Sequence, residues 1–168
     1  MRLAGITYES FVDGPGLRIV IFTQGCDLGC PNCQNPSSWD QTGGRVYTVP
    51  QIVRLIKNHN STKGLVRGIT FSGGEPTMQA KELAQLAKKI KPLGLDIVTY
   101  TGHTYEELQA RDDASIHALL AETDYLIDGP YKQELRGLDL RFRGSSNQRI
   151  INMGATRYKG QLVLEDFE

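Results

Sequence analysis

Net charge is the first thing this chain lacks. Its 168 residues carry 19 Lys and Arg against 19 Asp and Glu, so the formal charge is zero. With no net field drawing it toward phosphate, neither nucleic acid nor an acidic membrane is expected as a partner. Long apolar runs are missing too. The best, residues 17–22, already contains Arg18 and falls far short of the ~18 residues a membrane helix needs. The first ten residues reach Tyr8, Glu9 and Ser10 before any hydrophobic stretch develops, so no signal peptide is expected and the expected compartment is the cytoplasm. No linker, internal repeat or low-complexity tract divides the chain. Its length is that of one unit of roughly 100–200 residues, and one domain over 1–168 is expected.

Histidines number three, and His59, His103 and His117 show no nucleophile–base arrangement. His103 follows Thr101-Gly102, near enough to a turn to approach a site, though an exposed loop histidine is the plainer reading. The one tryptophan, Trp39, stands shortly after the cysteines and reads as a hydrophobic lid.

What is present is glycine. Eighteen residues exceed the ~7% background, and they fall in short groups between periodic segments, as tight turns and close backbone approaches require. Between them, residues 17–23, 68–72, 95–100, 125–128 and 149–152 read as strands from their β-branched and aromatic content. Residues 50–58, 80–90, 105–111 and 116–122 read as helices from apolar positions at helical spacing. Residues 162–164 read as an edge or tail. Strands alternating with helices predict an α/β fold of βα units around a parallel sheet. In such folds ligands gather outside the carboxyl ends of the strands. The loops after the first four strands would then face one site. These are the cysteine loop, Gly73-Gly74-Glu75-Pro76, Thr101-Gly102 and Asp128-Gly129.

All three cysteines lie within eight residues, Cys26, Cys30 and Cys33, spaced C-x3-C-x2-C. An odd number closes no disulfide framework, and three thiolates on one short loop point to a metal. Structural zinc wants four tetrahedral ligands, and only a distant histidine could supply the fourth. A [4Fe-4S] cluster normally takes four cysteines, so a set of three leaves one iron an open position where a substrate or cofactor can bind. The three-thiol set favours the cluster; a zinc-stabilised, non-catalytic binding module is the competing class.

This cysteine spacing after the first strand, joined to Gly73-Gly74-Glu75-Pro76 after the next, resembles the radical S-adenosylmethionine superfamily. With Asp13-Gly14-Pro15-Gly16 and the stretch Arg143-Gly144-Ser145-Ser146-Asn147-Gln148-Arg149, the chain more closely resembles the activases of glycyl-radical enzymes, in the branch that serves anaerobic ribonucleoside-triphosphate reductase. The resemblance covers nearly the whole chain. It implies an incomplete TIM-type barrel with a parallel sheet. It also implies a cluster held by Cys26, Cys30 and Cys33, with S-adenosylmethionine chelating the open iron through its amino and carboxylate groups. Reductive cleavage would yield methionine and a 5′-deoxyadenosyl radical that takes a Cα hydrogen from a glycine of the partner reductase. No side chain beyond the cluster and S-adenosylmethionine contacts is expected to be catalytic.

The resemblance also sets roles. Gly73 and Gly74 suit backbone pressed against the ligand's amino group, and Glu75 accepts from that ammonium or braces the turn. Pro76 fixes the exit. Asn32, Cys33 and Gln34 would contact the adenine. Many superfamily members have an aromatic residue before the last cysteine, so Asn32 is a departure. Thr101 and Asp128 would reach the ribose or the methionine portion, or serve only as cap and turn residues. Asp13 to Gly16 would form a lip of the site. An activase of pyruvate formate-lyase type is the alternative within the class. Between Lys132 and Lys159, seven basic residues face two acidic ones. This stretch is either a solvated face or a docking surface for the reductase or an acidic electron donor such as flavodoxin, with RNA binding a weaker third reading because few aromatics stand near it.

Overall fold

The computed structural model describes residues 1–167. Seven strands form one mixed sheet: β1 (Arg2–Ser10), β2 (Arg18–Thr23), β3 (Arg45–Val46), β4 (Gly68–Gly73), β5 (Asp96–Tyr100), β6 (Tyr125–Asp128) and β7 (Arg149–Asn152). Their order is β3-β1-β2-β4-β5-β6-β7. The central four, β2, β4, β5 and β6, are parallel. Each crossover between them contains a helix: α1 (Val49–Lys63), α2 (Ala80–Ile90), then α3 (Tyr105–Ala110) with α4 (Ala114–Glu122). The expected α/β class of βα units around a mostly parallel, open sheet is therefore observed. The sheet is not wholly parallel, because β1, β3 and β7 are antiparallel additions at its two edges.

Alternation along the strands explains the layers. Ile19 and Ile21 of β2, Ile69 and Phe71 of β4, Ile97 of β5, Leu126 of β6 and Ile151 of β7 point to one face. There they meet Ile52 and Ile56 of α1, the Leu83, Leu86, Ala87 and Ile90 stripe of α2, and Leu119 of α4. A capping box between Thr48 and Gln51 starts α1, which ends on Gly64 in the left-handed region. It therefore runs beyond the expected residue 58.

Val98, Ile127 and Ile150 point to the other face and form a smaller cluster with Tyr100, Tyr125, Phe142 and Phe167. On that face Arg18 is fully buried. Its guanidinium donates to Thr70 Oγ1 (2.7 Å), to the carbonyls of Pro15 and Ile69, and pairs with Asp96 (2.6 Å). Burial lowers its pKa, and Asp96 opposes that shift.

Three elements were not expected: β1, β3 and helix α5 (Met153–Lys159). The sequence at 162–164 contributes an isolated bridge from Leu164 to Ile151.

Candidate active site at the strand ends

Because β2, β4, β5 and β6 run the same way, the four loops after them open on one side of the sheet. They share a cavity of about 800 Å³. Cys26, Cys30, Cys33, Gln34 and Trp39 line it from the first loop, and Gly73, Gly74 and Glu75 from the second. Thr101 and Gly102 line it from the third, and Gly129 from the fourth. Of the expected lip, Asp13 to Gly16, Asp13 alone lines it.

The cysteine loop is fastened at its base. Gly25 N–H donates to Ser38 O (2.7 Å) and Cys26 N–H to Trp39 O (3.3 Å). All three thiols are half-buried and free of disulfides. Burial pushes the Cys26 thiol up; the Leu28 N–H partly opposes this, and the nearby Glu75 charge adds to it. None of the three histidines lines the cavity. Among the described residues, no three or more His, Cys, Asp or Glu side chains are gathered closely enough to hold a metal ion, the three cysteines included, so their arrangement by itself favours neither zinc nor a cluster. The donor set on this cavity is three thiols with no fourth Cys or His. That composition suits a four-iron cluster with one iron open to a ligand.

The two glycines of the second loop serve the scaffold. Gly73 has φ +103°, and a Cβ there would lie 2.4 Å from Thr23 N. A Cβ on Gly74 would lie 2.1 Å from Gly25 O. The reason is a pair of hydrogen bonds: Gly74 N–H to Thr23 O and Glu75 N–H to Gly25 O, both 2.8 Å. The second loop is thus stitched to the first, and backbone rather than a ligand excludes the side chains. The close approach that the structure shows is the one between the two loops.

Glu75 is 1% exposed and its carboxylate is fully engaged. Oε1 accepts from Thr77 N–H (3.0 Å), Thr77 Oγ1 (2.7 Å) and Thr101 Oγ1 (2.9 Å). Oε2 accepts from Gly102 N–H (2.9 Å). With about four lone-pair positions to offer, it has little left for an ammonium. Of its two expected roles, bracing is the one this geometry displays: Glu75 locks the second loop to the third. Thr101 is buried and takes part in the same brace.

Other expected residues are placed away from the cavity. Asn32 is exposed, does not line it, and has φ +56°. Asparagine tolerates that left-handed conformation better than most residues, which accounts for it within the loop's turn. Pro76 begins a short 3-10 turn (Pro76–Gln79) capped by Glu75. Asp128 is buried but lines a separate hollow of about 510 Å³ behind Gly102 and Gly129. It accepts from Tyr105 N–H (2.7 Å) and from Arg149 Nε (3.0 Å) and Nη2. Arg149 also pairs with Glu106. These hydrogen bonds raise the Arg149 pKa and lower that of Glu106.

Residues 129–149 form the wall opposite the cysteines. Gln148 Oε1 accepts from Gly144 N–H (2.8 Å) and Ser145 N–H, while its amide donates to Gly129 O. Tyr100, at the end of β5, donates its hydroxyl to Phe142 O (2.7 Å). Burial, together with the nearby Asp13, keeps this phenol protonated. Sequence reasoning missed Tyr100, Phe22 and Leu28 as cavity residues, although Tyr100 stands just before Thr101-Gly102.

Comparison with known proteins agrees with this geometry. A family described as "4Fe-4S single cluster domain" matches residues 12–151. The chain is similar to the "Anaerobic ribonucleoside-triphosphate reductase-activating protein" of Vibrio cholerae, 38% identical over 83% of this chain and 90% of that protein. The protein of that name from Escherichia coli is 33% identical over 84% and 92%. A "Pyruvate formate-lyase-activating enzyme" from Clostridium pasteurianum is 33% identical over 78% of this chain and 56% of its own. Among solved structures, QueE from Escherichia coli aligns with a TM-score of 0.47 at 19% identity, over 61% of this chain and 53% of that one. On the first two of these likenesses, which run nearly end to end, the chain belongs to the family of anaerobic ribonucleoside-triphosphate reductase-activating proteins.

Proposed function

We propose that the chain is a radical S-adenosylmethionine activase that installs the glycyl radical of an anaerobic ribonucleoside-triphosphate reductase. The observation that carries this reading is the three-thiol set, with no fourth Cys or His, on the cavity at the ends of the parallel strands. Cys26, Cys30 and Cys33 would hold a [4Fe-4S] cluster. When bound and reduced, the cluster supplies the electron that splits S-adenosylmethionine into methionine and a 5′-deoxyadenosyl radical, which takes a Cα hydrogen from the partner's glycine.

The protein's part is placement and exclusion of water. The cysteine loop and the Gly73-Gly74 loop are hydrogen-bonded into one unit, and Glu75 and Thr101 tie that unit to the next strand end. Such a brace holds the ligand-facing backbone still through the reaction, which is what positioning requires. Gln34, beside Cys33, and the backbone of Gly73, Gly74 and Gly102 are the contacts proposed for S-adenosylmethionine, with Asn32 shaping the loop. Trp39 shelters the thiol side of the cavity. Among the described residues no helix is long and apolar enough to cross a membrane. A cytoplasmic setting and an electron donor such as flavodoxin go with the proposed chemistry, and the balanced charge supports neither nucleic acid nor membrane as a partner.

Anaerobic reconstitution tests this. The protein should bind iron and acid-labile sulfide, and after reduction should convert S-adenosylmethionine to equal amounts of methionine and 5′-deoxyadenosine. Cys30→Ala should lose both cluster and cleavage. Added reductase should then show a glycyl radical by electron paramagnetic resonance. Stoichiometric zinc without iron, or cleavage surviving in Cys30→Ala, would end the proposal. Radical formation on pyruvate formate-lyase and not on the reductase would move it to the second kind of activase.

A further inference from the structure

The basic stretch from Lys132 to Lys159 divides once its contacts are known. Arg149 is taken up by Asp128 and Glu106, and Arg157 donates to the carbonyls of Leu120 and Thr123. Arg136 and Arg141 are exposed. Arg143 is different: it is half-buried, lines the large cavity and donates from Nη1 to Gln148 O at a long 3.4 Å. Its Nε is shielded from water and has no acceptor in the protein. A shielded guanidinium N–H without a partner is costly, and an acceptor brought into the cavity would satisfy it.

The residue before it sets the direction of Arg143. Phe142 also lines the cavity and has φ +58°, in the left-handed region that bulky side chains rarely adopt. Such backbone persists only where its surroundings hold it. Two side chains do so here. Tyr100 donates its hydroxyl to Phe142 O (2.7 Å), and the Phe167 ring meets the Phe142 ring edge-on with centroids 5.6 Å apart. Phe167 also meets Tyr125 edge-on, at 5.2 Å.

Phe167 reaches this place from the open edge of the sheet. Residues 163–165 run along β7 as a strap, antiparallel at the Ile151–Leu164 bridge. Asn152 N–H donates to Val163 O (2.9 Å), Glu165 N–H to Ile150 O (2.8 Å), and the Asn152 side-chain amide to Glu165 Oε2 (2.9 Å). Val163 N–H donates to Thr156 Oγ1 of α5 (3.0 Å). The strap delivers Phe167 to the face that carries Val98, Ile127 and Ile150.

We infer that Phe167 is a positioning residue: through Phe142 it holds Arg143 toward the cavity, where Nε donates to an acceptor on the adenosyl end of S-adenosylmethionine. This rests on the activase reading above. The two walls of the site decide which end of the ligand is met. The methionine end belongs at the iron on the cysteine loop, and Arg143 stands on the opposite wall, within residues 129–149. Ribose oxygens and adenine ring nitrogens are acceptors, and a guanidinium offers only donors. Without the Phe167 ring, the turn at Phe142 loses a contact that offsets its strain, and Arg143 swings with the relaxed backbone.

The test reads binding rather than turnover. Reconstituted, unreduced protein is given S-adenosylmethionine, or 5′-deoxyadenosine, which keeps only the adenosyl end, and dissociation constants are measured by equilibrium dialysis. Arg143→Met and Phe167→Ala should each raise both constants roughly tenfold, as loss of one hydrogen bond from a charged donor implies. The double variant should bind no worse than Arg143→Met alone, because both changes remove one contact. Phe167→Leu keeps apolar bulk without the ring. It should give a smaller rise in the same direction, and it carries the comparison if Phe167→Ala does not load iron.

Wild-type binding in Arg143→Met overturns the contact, and wild-type binding in the Phe167 variants overturns the positioning. Losses that multiply in the double variant also overturn it, since Phe167 would then act elsewhere. So does a rise for S-adenosylmethionine without one for 5′-deoxyadenosine, which would move Arg143 to the methionine end. Wild type that binds neither probe and makes no 5′-deoxyadenosine after reduction fails the activase reading itself; a loss confined to the variants does not.

Discussion

The two walls of the cavity are built on different principles. On one side, the cysteine loop and the Gly73-Gly74-Glu75 loop are joined backbone to backbone and locked by a buried carboxylate with four donors. On the other, residues 129–149 are held by a single backbone bridge between Arg136 and Ser145, with Ser146 N–H donating to Leu135 O, and by side chains reaching to backbone from Gln148, Tyr100 and Arg143; they leave exposed arginines and a leucine. The first wall has no slack, as suits a small ligand that must be held in one pose. The second keeps its charge available to the outside, as suits a protein surface. A buried carboxylate serves each: Glu75 joins two loops beside the cavity, and Asp128 anchors Arg149 behind it.

The contrast predicts unequal costs. Glu75→Ala strands two backbone N–H groups and two threonine hydroxyls. It should lower stability by about 3 kcal/mol or more, read from the denaturant midpoint, and should reduce cluster retention too. Glu75→Gln should recover part of that loss. A Glu75→Ala protein of wild-type stability would remove the rigid half of the comparison.

Tyr100→Phe deletes the single hydroxyl that ties β5 to Phe142 on the other wall. Its cost should be about 1 kcal/mol, well below that of Glu75→Ala. Equal costs would make the two walls alike.

The smallest effect is pH-dependent and concerns Glu106, behind the second wall. Hydrogen bonding from Arg149 lowers its folded pKa below the unfolded value. The stabilisation is therefore present above the unfolded pKa of about 4.3 and lost as pH falls through the folded value. Glu106 is largely exposed, so Glu106→Gln should cost only about 0.5 kcal/mol at pH 7. As pH falls below the folded value the variant and wild type should converge, as urea midpoints measured across the acid range would show.

Much of this was readable along the chain. The central strands and α2 announced themselves because a core-facing strand or helix must carry apolar residues at its own period. β1 did not, since most of it faces outward or only half inward, and its place is fixed by pairing with β2 and β3. α5 was missed for its shortness, although the Asn152 cap and Gly160 in the left-handed region were available signals. Cys26, Cys30 and Cys33 were legible because metal chemistry demands their type and spacing. Asn32, Asp128 and the division of the basic stretch were not, because nearness in sequence does not reveal which groups a side chain reaches.

Residue types and spacing alone determined the kind of chemistry: three thiols without a fourth, on a loop at the end of a strand. Folding decided which polar groups were left for it. Glu75, Asp128 and Arg149 found partners within the protein, while Arg136 and Arg141 stayed open to solvent. A charge can be counted in one dimension. Whether it has been neutralised depends on distances of about 3 Å, set by segments that lie far apart along the chain.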